Sequence, residues 1–345
     1  MIRTTWLARL AALFAVVALG MGVVGCGGDD GGGEGEGISV AFVSDTAGIN
    51  DRGFNEFTLA GVEQAADELG IETRTYVSTT EDDYVPNLTA AAEDGHDLVL
   101  AAGFLIAPSV VTVAQEYPDT SFAGVDHFYG GDGCDEAGTC EQPNALGLQY
   151  PSEEPGYLAG VVTALTTQSN TVSTVGGIKI PSVDNWIAGF QQGVKDTKPE
   201  VQVLNAYSQD FVDQAKCKEI ALDQISQGSD IVFQVAGQCG LGAIDAACEQ
   251  DKFAIGVDAD QSAQGTCVIT SALKPLQTSV VSLIESFVDG EFEGGQNVFF
   301  GLADLPDAAL LTPFTDDVPA EVQDAVDEAL EKLKSGEIDP PSTLS

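Results

Sequence analysis

The sequence predicts an α/β protein of two doubly wound parallel-sheet lobes, and three observations carry that expectation. Short apolar runs alternate with helix-length segments from residue 38 onward, the rhythm that parallel strands joined by crossover helices require. A glycine-rich, cysteine-bearing loop at 129–140 interrupts the rhythm, which then restarts. The chain is 44% hydrophobic and 19% charged, a globular composition, and its body of about 300 residues is long enough for two lobes.

In the first half, strands are expected at 38–44, 72–77, 97–102 and 121–125, with a short strand at 145–149 beyond the loop. Helices fall between them at 55–69, about 85–93 and about 107–116. Strands alternating with helices at this spacing imply a parallel sheet with helices on both faces. A helix at 157–166 leads into the second half, with strands at 173–178, 201–207, 230–236, 253–258 and 267–272. Helices are expected there at 183–196, 212–227 and 241–250, and a last one at 319–334 packs back on the second lobe. Two similar α/β halves in series suit a molecule that binds between lobes.

The first residues are a leader, not a fold element. Arg3 and Arg9 precede an apolar stretch from Leu10 to Val24 that is too short to span a bilayer and is soon followed by glycines. It reads as a secretory signal peptide, 1–25. Val23, Val24, Gly25 and Cys26 resemble the bacterial lipobox, so Cys26 is expected to carry lipid, palmitate included, and to begin the mature protein. The following GGDDGGGEGEG has almost nothing to bury, and 26–37 therefore reads as a flexible tether. The expected location is the extracytoplasmic face of the cell membrane, held by lipid alone.

Loss of Arg3 and Arg9 with the leader leaves 11 basic and 54 acidic side chains, a formal charge of −43. Such a balance argues against nucleic acid and anionic headgroups as partners. A solvated carboxylate surface explains it better than a calcium site, since no DxDxDG-type loop occurs. No metal and no cofactor is expected.

Six cysteines remain in the body, an even number that suits three disulfides in an exported chain. No CxxC pair exists and only His96 and His127 are available, which disfavours a metal. With the second-lobe strands in the order 2-1-3-4-5, Cys217 and Cys239 open helices on the ligand-facing edge. Cys248 and Cys267 lie on the opposite edge. The expected pairs are Cys217 with Cys239, Cys248 with Cys267, and Cys134 with Cys140 inside their shared loop.

Candidate polar and aromatic groups fall just past the carboxyl ends of strands, where open α/β sheets bind ligands. In the first half they are Asp45, Thr46, Gly103, Phe104, Asp126 and His127; in the second, 179–186, 237–240 and 258–260. The segments VAFVSDTAGINDRGFNEFTLAGV, YPDTSFAGVDH, EEPGYLAGVVTAL, WIAGFQQGVK, DIVFQVAGQCGLGAIDAA, FAIGVDADQS and ITSALKP resemble, in order, the basic membrane protein family. Its best-understood members are purine nucleoside receptors of ABC transporters.

That resemblance implies a type 1 periplasmic-binding-protein fold, two lobes joined by three hinge crossovers, and a purine or related nucleoside enclosed between them for import. It implies base contacts from Asp45 and Asp126, stacking by Phe54, and ribose contacts from Asp258 and Lys274. Thr46, Asn55, Trp186 and Gly237 complete the expected ligand set, although Gln238 and Cys239 depart from the small residues common in that loop. An ABC permease and its ATPase would be the partners, and the protein would be a monomer. The expected lobes are 38–150 with about 276–312, and 151–275 with about 313–338. Crossings are expected near Pro151, Lys274–Pro275 and Leu305.

Each residue also has a structural reading. Phe54 can sit in the core with Phe57, Val62 and Leu69, and Asp45 can cap the turn after its strand. Asp126 and Asp258 can serve turns, Lys274 can snorkel at a hinge, and Trp186 can be buried. Arg52 is expected to face solvent beside nearby carboxylates. Riboflavin or a sugar is the alternative ligand, and a surface lipoprotein for sensing or adhesion the alternative role. An enzyme built on Cys239 and His127 is disfavoured, because the two come from different lobes.

Overall fold

The computed structural model describes residues 37–129, 142–306 and 308–344. The leader 1–25, Cys26, the tether to residue 36, and Cys134 and Cys140 lie outside the described residues.

The first lobe is built on β1 (Ser39–Val43), β2 (Glu72–Tyr76), β3 (Leu98–Ala102), β4 (Ser121–Val125) and β5 (Ala145–Gln149). Between these strands run α1 (Phe54–Leu69), α2 (Tyr84–Glu93) and α3 (Ala107–Glu116). The second lobe begins with α4 (Glu153–Thr166) and contains β6 (Thr171–Gly176), α5 (Pro181–Thr197), β7 (Gln202–Tyr207) and α6 (Gln214–Ser226). It continues with β8 (Ile231–Val235), α7 (Gly237–Glu249), β9 (Phe253–Asp258) and β10 (Val268–Leu273). The chain then returns to the first lobe as α8 (Leu276–Val288) and β11 (Gln296–Phe299), and ends on the second with α9 (Glu321–Ser335).

Both sheets are parallel, in the orders β2-β1-β3-β4-β5-β11 and β7-β6-β8-β9-β10. The second is the 2-1-3-4-5 order expected. Central strands are buried throughout, from Leu98–Ala102 in one lobe to Ile231–Val235 in the other, so helices cover both faces of each sheet.

Two elements go beyond the sequence expectation. β11 is four residues, QNVF, with no alternating pattern, and becomes a strand because it pairs with β5 from Gln296↔Leu146 to Phe299↔Gln149. α8 does carry a helical signal, since Leu276, Val280, Leu283 and Ile284 share its buried face. It packs on α1 at Gly61, where a Cβ would strike Val280 and the Gln277 carbonyl. Beyond β11, Leu311 bridges Ala272 of β10, and Thr315 donates its amide to Ile269. This stretch therefore lies along the second sheet.

α4 starts before the expected 157, because Pro155 tolerates a first helical turn that needs no amide donor there. It lies unusually close to α5. A Cβ at Gly156, Gly160, Gly189 or Gly193 would run into the carbonyl of Trp186, Phe190, Glu153 or Tyr157 respectively. Glycine costs each helix intrinsic stability, yet here it lets two backbones meet and fixes the position of Trp186 at the start of α5.

Two disulfides join the second lobe as expected: Cys217 to Cys239, with Cα atoms 5.6 Å apart, and Cys248 to Cys267 at 5.2 Å. Among the described residues no helix is long and apolar enough to cross a membrane.

Candidate functional site

The carboxyl ends of both sheets face one cleft with an empty volume of about 590 Å³, part of it open to solvent. Asp45, Phe54, Asn55, Asp126, Trp186, Gly237, Asp258 and Lys274 all line it. Thr46 is not on its wall; it lies beside the Tyr84 hydroxyl instead.

Lys274 is the hub. It follows β10 at the crossing between lobes, its amide donates to the Asp258 carbonyl, and its side chain is 3% exposed. Its ammonium donates to both Asp126 carboxylate oxygens, at 2.9 and 3.1 Å, and stands 3.9 Å from Asp258 Oδ1. The same nitrogen is 5.1 Å from the Phe54 ring centroid, 5.0 Å from Tyr150 and 5.9 Å from Trp186. The two aspartates occupy equivalent places in their lobes, each at the end of the fourth strand and each with a left-handed backbone, φ 63° and 66°. That conformation is tolerated by aspartate and re-aims the carboxylate from the sheet toward the cleft.

Asp258 Oδ1 is buried with no hydrogen-bond donor. Burial, with Asp126 and Asp51 adding repulsion, pushes the carboxyl up to about 6 against the pull of Lys274. A buried acceptor without a donor is costly, and a ligand hydroxyl would relieve it.

Asp45 is held by the amide of Ala47 at 2.8 Å and by Asn55 Nδ2 at 2.7 Å, yet burial still raises it to about 6. Asn55 also donates to Asp51 Oδ2 at 3.1 Å and accepts from the Asp45 amide at 3.2 Å. Asp51, which the sequence reading passed over, lines the cleft and accepts the Gly53, Asn55 and Glu56 amides at the start of α1. An aspartate three residues ahead of α1, where a carboxylate is favoured by the free amides of the first turn, was the signal available in the sequence. Asn55 is thus a fully buried strut between two carboxylates. Asn55→Leu keeps the branched shape and removes the three side-chain bonds, from the Asp45 amide and to the Asp45 and Asp51 carboxylates; it is expected to cost about 2–3 kcal/mol in urea unfolding, with an unchanged m-value.

The aromatic wall separates the structural and the functional readings. Trp186 is 1% exposed and sits edge-on to Phe233 at 6.3 Å, so its ring belongs to the second-lobe core even though it also lines the cleft beside Lys274. Phe54 is half-buried: it packs against the first-lobe core and also faces the cleft. Phe211, which nothing in the sequence marked, lines the opposite wall, its ring seated on Gly177 and Gly237.

Arg52 corrects an expectation. It does not merely face solvent beside carboxylates: its guanidinium donates to Gln264 of the second lobe at 2.8 Å, and its carbonyl accepts from Gln261 at 3.3 Å. The lobes touch across the cleft mouth there.

The disfavoured enzyme constellation is absent as a working pair. Cys239 is tied up in its disulfide. His127 is pushed down to about 4 by burial, so at neutral pH its Nε2–H donates to the Gly103 carbonyl and its Nδ1 accepts from the Tyr129 hydroxyl. Among the described residues no His, Cys, Asp and Glu group is arranged to hold a metal ion.

The profile of a family described as "ABC transporter substrate-binding protein PnrA-like" matches residues 38–338. A Listeria innocua protein named CD4+ T-cell-stimulating antigen is 31% identical, covering 96% of this chain and 97% of its own. A Lactococcus lactis protein named ABC transporter nucleoside-binding protein BmpA is 29% identical over 88% and 89%. Among solved structures, a solute-binding protein from Aeropyrum pernix superposes with a TM-score of 0.78 at 23% identity, covering 89% of this chain and 94% of its own. One from Conexibacter woesei gives 0.69 at 26%, covering 89% and 100%.

Proposed function

Because this chain belongs to the PnrA-like family of ABC transporter substrate-binding proteins, which carry small molecules to a permease and ATPase rather than transform them, we propose that its ligand is a purine nucleoside. The observation that carries the reading is Asp258 Oδ1, buried without a donor 3.9 Å from the Lys274 ammonium, in the same cleft as the Phe54 ring. A ribose offers adjacent hydroxyls that donate to such a carboxylate and accept from such an ammonium. A purine offers a flat apolar face to an aromatic ring, and edges that suit Asp45 and Asp126.

Charge supports the neutral form of that ligand. Four aspartates and one lysine line the cleft, so a phosphate would enter against carboxylate repulsion with a single ammonium to meet it. The relative named for nucleoside binding supports the same choice. In this reading the mature protein is a monomer held outside the cell by lipid on Cys26, and the lobes close over the ligand at the Arg52 mouth.

Thermal denaturation against adenosine, guanosine, inosine, free bases, riboflavin and sugars tests the ligand. A nucleoside present at 100 times its dissociation constant stabilises the fold by about 2.7 kcal/mol. No response to any purine nucleoside overturns the ligand, and a response to riboflavin or a sugar replaces it. Phe54→Ala is expected to weaken nucleoside binding by about 0.5–1.5 kcal/mol in titration calorimetry. Unchanged affinity would return Phe54 to the core.

A further inference from the structure

We infer that the Cys217–Cys239 disulfide is a positioning element for the second-lobe wall of the cleft, an inference that rests on the cleft being the ligand site. Cys239 lies in the first turn of α7, two residues after Gly237, which lines the cleft. Its amide donates to the Phe211 carbonyl at 2.9 Å, and Phe211 lines the cleft from the loop just before α6. Cys217 lies in the first turn and a half of α6. The covalent bond therefore joins the two helices at the ends that carry the wall.

The surroundings show that this end of the helix pair is set to close tolerance. At Gly242 a Cβ would collide with the Gln214 backbone, so the starts of α6 and α7 pack main chain against main chain. The Phe211 ring fills the space over Gly177, where a Cβ would strike it, and rests against Gly237. The loop leading into α6 is laced from within: Asp210 Oδ1 accepts the Val212 and Asp213 amides, Asp210 Oδ2 accepts from Lys216, and Asp213 caps α6 through the Ala215 amide. Each of these contacts fixes the loop relative to α6 alone. Between α6 and α7 themselves run the disulfide, backbone packing at Gly242 and one partly exposed ion pair, Lys218 with Glu249 at 2.7 Å; of these the disulfide is the covalent link at the cleft end, where the Cys239 amide also holds the Phe211 loop.

Both sulfurs are buried in the aliphatic cluster formed with Val175, Ala221, Val232 and Ile244. Without the bond, α7 can shift relative to α6, and the Phe211 ring and the Gly237 backbone no longer hold one geometry. A wall that must be ordered at the moment of binding lowers affinity, because the ordering cost is then paid by the ligand.

The test compares Cys217→Ala with Cys239→Ala against Leu333→Ala, a core truncation in α9 remote from the cleft, with both compared to the wild-type protein. Alanine suits the apolar site; Cys217→Val with Cys239→Ala restores volume should the first pair fold poorly. Amide hydrogen exchange in the ligand-free protein is expected to quicken at 208–214 and 237–242 in the cysteine variant and to stay unchanged there in Leu333→Ala. Titration with the tightest-binding purine nucleoside is expected to show about tenfold weaker binding for the cysteine variant and under about twofold for Leu333→Ala. Unchanged exchange in the two segments, or equal affinity losses in both variants, overturns the inference. Absence of nucleoside binding by the wild-type protein overturns the ligand reading instead, and the exchange result still decides the positioning role.

Discussion

Lys274→Met is expected to destabilise the protein by about 3 kcal/mol at pH 7 and to abolish measurable ligand capture. Breaking a buried ion pair from one side generally costs about 3–5 kcal/mol, because a charge remains without its partner. The low end applies here, since the Asp126 and Asp258 side chains each keep 10% exposure and regain some water. The loss should depend on pH. Asp258 is raised from 3.8 to about 6 in the folded protein. Its contribution to stability is therefore present in full below 3.8 and lost as pH rises through 6. Lys274 opposes that rise, so its removal lifts the folded value further and widens the window. Urea unfolding at pH 5 and pH 7 is the measurement: the cost of Lys274→Met should be clearly smaller at pH 5, where Asp258 binds a proton. An equal cost at both values would mean that the ammonium does not govern this carboxyl.

Trp186→Ala is expected to cost about 3–5 kcal/mol, as deletion of a fully buried indole does. The ring contacts Phe233, and the α5 backbone at this point meets the Gly156 face of α4, so the cavity has little freedom to collapse. Ligand affinity should fall as well, because α5 also carries Val183 and Ser182 into the cleft. Thermal denaturation and ligand titration together separate the two roles. A stability loss under about 1 kcal/mol with a large loss of affinity would make the indole a ligand platform rather than a core residue.

The sequence was most legible where a local rule has no rival. Strands announced themselves by their regular alternation with helix-length segments, even where a buried strand carries polar residues as β6 and β8 do, and the ends of those strands located the cleft. The same logic placed Cys217 and Cys239 on one edge and Cys248 and Cys267 on the other, as the structure has them. Less legible was whatever depends on a partner distant in the chain. β11 is a strand only because β5 offers an edge. The glycines of α4 and α5 read locally as weak points in helices, whereas their value appears only when each helix meets the other. Phe211 lies in a loop with no motif, and the glycines that seat it are 34 residues before and 26 after. Arg52 looked like a surface charge because nothing nearby in sequence names Gln264, 212 positions away, as its acceptor.

The contact at the cleft mouth sets a time scale. Arg52 and its two glutamine partners hold the rims together with exposed or partly exposed hydrogen bonds, each contributing about 0.5–1.5 kcal/mol net. A fastening that weak lets the empty molecule breathe open, so occupancy, more than rim contact, keeps the lobes together. Residence time would then belong to the cargo: if Asp258 and Phe54 hold the ligand as proposed, molecules that satisfy both are expected to leave slowly and poorer fits at once, so that discrimination is exercised through the off-rate.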